Sequence, residues 1–360
     1  MKTIIYIYII LYLLRHTLKL HTTFIMEYLR NNYNELGWKI NDYILHDTGS
    51  IILYNKYKNT KKGFLLFGKN INLITNPNNA YNILKNQLYN PTTKKFFETS
   101  LQINKIHPII YHHLKYCNNI LNTPLKQHFD FEDISTIFTS FLLFGETNFH
   151  KSNNIINKHQ ITEYINKPKE YTLLHYSLKN KQNIPNHQIQ KHISHWINPI
   201  YKTLSYIFPI ILCLLTNYDN IENKVRQENN ITYFDPTKLI YTKKVILETL
   251  RLNNPVISLN KNNNIILTNG ILRNEPFYKP NEFIPERWTN ELENHKYNIL
   301  FGAEQNKCPA QNFTINILQL FIYYFYKNIG NKNYNSNIHI NKSHVPQSIN
   351  PYKIIFAYSI

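Results

Sequence analysis

The sequence predicts a mainly α fold with small β-sheets, an α+β arrangement. Three observations carry that expectation. Apolar residues recur at helical spacing through long stretches, above all Ile184–Glu228 and Gln311–Phe325. Strand-like runs are few and short. No internal repeat is visible along 360 residues, a length that can bury one large core or two modest ones.

The elements follow in order. Phe64–Gly68 and Ile71–Ile74 read as short strands, with a helix from about Asn78 to Leu88. Phe129-Asp130-Phe131-Glu132-Asp133-Ile134 leads into an apolar helix over Ile137–Phe144. Acids ahead of it and Gly145 behind it are ordinary start and stop signals. Lys151–Lys169 is polar and reads as loop with a little helix. Ile184-Pro185-Asn186-His187 opens the long apolar helix. After the helix over Gln311–Phe325, Asn331–Asn350 is an Asn/Lys/Ser-rich loop, and Tyr352–Tyr358 is a final strand.

Chemistry concentrates in the C-terminal half. Cys308 ends the stretch Phe301-Gly302-Ala303-Glu304-Gln305-Asn306-Lys307-Cys308, followed by Pro309 and an apolar helix. A single cysteine is usually a small buried hydrophobe. At a helix start, however, the dipole favours thiolate, and a thiolate is a metal ligand. Two further patterns stand upstream: Glu248-Thr249-Leu250-Arg251, and Pro285-Glu286-Arg287-Trp288. Glu248 and Arg251 lie one helical turn apart on one side, and alone such a pair is usually a surface pair. Arg287 can join them with bidentate geometry. Buried charges cost desolvation, so a cluster of this kind is an architectural lock rather than a catalytic acid.

Taken together, E-x-x-R at Glu248 and Arg251, P-E-R-[FW] at Pro285–Trp288 and F-x7-C at Phe301 and Cys308 resemble the cytochrome P-450 family of haem-thiolate monooxygenases. The resemblance implies a fold of that type with haem b as cofactor, Cys308 as axial iron ligand and Phe301 beside the haem. Electron push from the thiolate favours O–O cleavage. Glu248, Arg251 and Arg287 become a structural triad behind the cysteine loop. Leu214–Arg226 resembles the start of the family's J helix, and counting back places the oxygen-binding stretch at Pro199–Ser205. Thr203 there matches the threonine that orders oxygen and its water. Lys261 falls where the family often has a propionate-binding arginine, and Lys115, four residues after Tyr111, stands near the place of another. The implied partners are a small organic or lipid-like substrate and an acidic electron-donor reductase.

The chain also departs from the family pattern. Where the family writes A-G-x-[DE]-T, this chain writes Pro199-Ile200-Tyr201-Lys202-Thr203. Pro199 removes a helical hydrogen bond and predicts a kink. Lys202 replaces a proton-relaying acid, and Ile200 a glycine that opens a groove for dioxygen. In the cysteine loop Glu304 replaces a glycine, and Asn306 replaces an arginine that pairs with a propionate. A lost charge-assisted bond of that kind is worth about 1.5–3 kcal/mol. The spacing also predicts truncation: little room for a β-hairpin between Val256 and Ile265, and little for the F and G helices that roof the substrate pocket.

The formal net charge of +18 raises nucleic-acid binding, but the lysines are scattered with no aromatic-interleaved basic stripe, so no nucleic acid is expected. Three cysteines (Cys117, Cys213, Cys308) make no disulfide framework and fit a reduced, cytoplasm-facing chain. Ile4–Leu14 is an unbroken apolar run, short for a spanning helix. Residues 1–25 are read as a membrane anchor, or else as an exposed or core-packed first helix, and residues 26–360 as the haem domain. Three functional readings stand open on the sequence alone. They are a divergent monooxygenase, a degenerate relative with weak or no haem binding, and a basic interaction protein on the retained scaffold.

Overall fold

The structure is a computed structural model that describes residues 63–66, 69–86, 131–145, 158–179, 184–256, 259–261, 264–274, 277–330, 333–346 and 349–359. The N-terminal apolar run, Tyr111 and Lys115 lie outside the described residues.

A small mixed sheet opens the described chain. Strands β1 (Gly63–Leu66) and β2 (Lys69–Ile74) form an antiparallel hairpin. Helix α1 (Pro77–Lys85) follows, with proline in its first turn and the Asn76 side chain accepting from the Asn79 N–H. Strands β3 (Leu259–Lys261) and β4 (Asn264–Ile266) come much later in sequence, and β4 pairs in parallel with β2. The sheet order is therefore β1-β2-β4-β3. The interval expected to lack a hairpin thus holds one, because three-residue strands suffice to pair Leu259 with Ile266 and Lys261 with Asn264.

Helix α2 (Phe131–Phe144) carries ten buried residues in its fourteen. It ends where Gly145 takes a left-handed φ of 73° and its N–H reaches the Phe141 carbonyl. Two short helices, α3 (Lys158–Asn166) and α4 (Leu173–Lys179), occupy the interval where the F and G helices were expected to be shortened. The central rod begins with α5 (Asn186–Lys202), continues through a π turn over Thr203–Ile207 and ends with α6 (Phe208–Asn217). Helix α5 continues past Pro199 to Lys202, and the turn that follows is wide: the Phe208 N–H reaches the Thr203 carbonyl, five residues back, directly ahead of Pro209.

Helix α7 (Asp219–Asn229) leads to α8 (Ile240–Leu252). The Glu228 carboxylate of α7 accepts the Tyr241 and Thr242 amides, each at 2.6 Å, and so caps the positive end of α8. After the β3–β4 hairpin come α9 (Thr268–Leu272), α10 (Asn290–Glu293) and α11 (Gln311–Ile329). Strands β5 (Asn333–Ser336) and β6 (Phe356–Ser359) close the chain as an antiparallel pair.

Aromatic rings knit the core where α2, the rod and α11 meet. Phe208 lies edge-on to Phe131 at 5.8 Å and to Phe321 at 5.7 Å, and Phe138 meets Phe321 at 4.9 Å. Pro199–Asn217 is long and apolar enough to cross a membrane, yet most of it is buried against these neighbours, as in the core helix of a folded domain.

Candidate active site

Two features frame the candidate site: a charged cluster at the end of α8, and the cysteine loop that opens α11.

Glu248 is fully buried, which a carboxylate tolerates only when its lone pairs are filled. They are. Oε1 accepts from Arg251 Nη2 at 2.9 Å, Arg287 Nε at 3.0 Å and the Ile284 amide at 3.0 Å. Oε2 accepts from Arg251 Nε at 2.9 Å and the indole N–H of Trp288 at 3.0 Å. Arg251 spends its remaining hydrogens on the carbonyls of Leu272, Pro280 and Glu282. Arg287 binds those of Tyr278, Lys279 and Glu282. Burial lowers the Arg287 pKa, while the Glu248 charge opposes that shift. The sequence motifs named three of these residues. Trp288 was visible in the motif only as a bulky aromatic, and its role as fourth donor appears in the fold.

The cysteine loop is built on one glycine and one exception to glycine. Gly302 has φ of 85°, and a Cβ there would collide with the Asn306 carbonyl oxygen. Glu304 also adopts a left-handed φ, 46°, where a side chain is strained. A 3-10 turn over Glu304–Asn306 follows, and the Cys308 N–H returns to the Phe301 carbonyl at 2.6 Å. This bond ties the two ends of the F-x7-C motif. Cys308 is exposed at the surface. Burial pushes its thiol pKa up, and the Ala310 backbone N–H pulls the other way. A coordinated cation deprotonates such a thiol outright.

A family model for cytochrome P-450 matches residues 54–328. The chain belongs to the cytochrome P-450 family. Its members are haem-thiolate monooxygenases, with haem iron as cofactor, small organic substrates and electrons from redox partners. No curated protein matches the chain.

The residues present fit a haem iron. Among the described residues no three His, Cys, Asp or Glu side chains stand together as a metal site. Cys308 is the residue that could hold a haem iron. The Ala310 N–H directed at the sulfur suits an anionic ligand. Thr203 opens the π turn, buried, with its hydroxyl donating to the Pro199 carbonyl at 2.8 Å. Lys261 pairs through its backbone with Asn264 in the β3–β4 hairpin, and any role of its side chain falls outside the described atoms.

Asn306 occupies the place of the propionate arginine, but its amide donates to the Leu84 carbonyl at the end of α1. Glu304 likewise reaches α1, where the Tyr81 hydroxyl donates to it at 2.5 Å. Neither contact was legible in the sequence, since more than two hundred residues separate the partners.

The cysteines give a test of this burial. Burial pushes the Cys213 thiol up to about 11. Native protein keeps that proton where an unfolded thiol loses it, so Cys213's contribution to stability falls as pH rises from the ordinary thiol range to about 11. At pH 8, iodoacetamide is expected to label Cys308 and spare Cys213 in folded protein. Peptide mass mapping showing equal labelling of the two would contradict the packing described.

Proposed function

We propose that this chain is a monooxygenase in which Cys308 is the axial ligand of a haem b and Thr203 serves the oxygen side. The seat of Cys308 carries the reading: an exposed cysteine, an amide directed at its sulfur, and a backbone bond closing the loop behind it. When bound, the iron supplies activation of dioxygen and insertion of one oxygen atom into an organic substrate. The protein's own part is placement and proton management. Phe301 and Cys308 are tied into one loop, so the sulfur is held before metal arrives. Glu248, Arg251, Arg287 and Trp288 fix the segment leading to that loop. The Thr203 hydroxyl, parked on the Pro199 carbonyl at the widened turn, holds a proton it can redirect. Lys202 beside it is a cation where the family has an acid, so it can donate a proton but is a poor acceptor at neutral pH.

The net charge of +18 supports an acidic electron-donor protein as partner and speaks for no nucleic acid, given its scatter. The substrate is a small organic or lipid-like molecule, and residues 1–25 anchor the chain to a membrane with the haem domain in the cytoplasm.

The test is the reduced carbon-monoxide difference spectrum of the full chain supplied with haem. A red-shifted, thiolate-type Soret band is expected, and Cys308→Ser should abolish it while leaving the denaturation midpoint nearly unchanged. A band that survives the substitution would remove Cys308 from the ligand role.

A further inference from the structure

Two of the positions where the cysteine loop leaves the family pattern, Glu304 and Asn306, carry side chains that reach α1. Glu304 accepts the Tyr81 hydroxyl at 2.5 Å, the short range of a charge-assisted bond. Asn306 donates to the Leu84 carbonyl, and its own carbonyl oxygen is buried without a partner. Just upstream, the Tyr297 hydroxyl donates to Asn78 Oδ1 at 2.8 Å. Asn78, Tyr81 and Leu84 follow one another at three-residue intervals, so the clasp runs the length of α1. Glu304 holds a left-handed φ that its side chain disfavours, and the Tyr81 bond is what the side chain gains there.

We propose that Tyr81 and Glu304 are a latch that fastens the cysteine loop to α1 and so positions Cys308. The proposal rests on the haem-thiolate reading for its purpose, but the latch is a property of the protein alone. With the latch made, the turn over Glu304–Asn306 is pinned at both ends, and the Cys308 amide stays on the Phe301 carbonyl. With it broken, the strained turn relaxes and the thiol loses its fixed placement. Tyr81 and Glu304 are positioning residues, acting through the loop rather than on any reacting atom.

The experiment measures the iodoacetamide labelling rate of Cys308 in the full chain before haem is added, and the haem dissociation rate after loading. Tyr81→Phe is expected to raise both rates roughly three- to fivefold, the scale of one solvent-screened polar contact. Glu304→Ala should do the same, and the double variant should add nothing further, because the two side chains form one interaction. Glu304→Gln keeps an acceptor oxygen but loses the charge, and should fall between wild type and Glu304→Ala. Unlabelled Cys213 reports that each variant is folded. Unchanged labelling in Tyr81→Phe, or additive effects in the double variant, would overturn the latch. Variants that behave as the latch requires, in a protein whose wild type gives no thiolate spectrum, would instead overturn the proposed function, so the two failures are separable.

Discussion

Replacing Glu248 with alanine is expected to cost at least about 3–5 kcal/mol, enough to leave little folded protein at ambient temperature. The magnitude follows from what the carboxylate leaves behind. Arg251 has no exposed side-chain surface and Arg287 very little. Without Glu248 both guanidiniums stay buried with carbonyls but no counter-charge. The Trp288 indole and the Ile284 amide also lose their acceptor in a fully buried site. Glu248→Gln is the sharper control: it keeps shape and one oxygen, yet turns acceptor positions into donors facing donors. It should fall close to alanine. The contrast is the Lys224–Glu286 bridge, 2.7 Å long but about half exposed at each end. Lys224→Ala should shift stability by less than about 1 kcal/mol. Urea denaturation of the three variants decides the matter. A loss under about 1 kcal/mol for Glu248→Ala would mean the cluster is solvated and does not act as a lock.

How much of this could be read beforehand depends on the range over which a residue's cause operates. Local causes were legible. Apolar spacing gave the rod and α11, and Gly145 marked the end of α2. The Glu248, Arg251 and Arg287 cluster was legible because a family pattern compresses a long-range contact into short motifs. Contacts without a motif were not. The β2–β4 pairing joins strands nearly two hundred residues apart, and neither strand signals its partner. The hairpin at β3–β4 was missed because spacing was weighed against longer examples, whereas two three-residue strands need almost no chain. Glu304 and Asn306 were legible only as departures. What they do instead depends on α1, which folding alone brings beside them.

Arg273 belongs to the illegible group, and its substitution has the second largest expected effect. No motif contains it, yet it is buried with neutral oxygens as partners: the Leu252 carbonyl twice, at 2.7 and 3.1 Å, Val345 at 3.1 Å, Pro346 at 2.8 Å and Asn281 Oδ1 at 3.4 Å. Burial, with the Arg251 charge nearby, pushes its pKa down to about 9. Even so it stays a cation at neutral pH, held by carbonyl dipoles. The geometry is reciprocal. Arg251, in the last turn of α8, donates to the Leu272 carbonyl that ends α9. Arg273, just past α9, donates to the Leu252 carbonyl that ends α8. Each helix thus places a cation on the negative end of the other. Arg273→Leu keeps bulk but strands the Leu252, Val345 and Pro346 carbonyls, at about 1–3 kcal/mol for each that stays dry, so a total near 3–5 kcal/mol is expected. Arg273→Lys should recover only part of this, since one ammonium cannot span carbonyls on two segments as a guanidinium fork does. The loss should also be local in character. Residues 345–346 and 349–359 are tied to α8 through this side chain and through the Ile349 amide on Asn253. Hydrogen exchange in that segment should accelerate well before exchange in the rod. Uniform acceleration across the chain would show that Arg273 stabilises the whole fold without pinning its C-terminal strap.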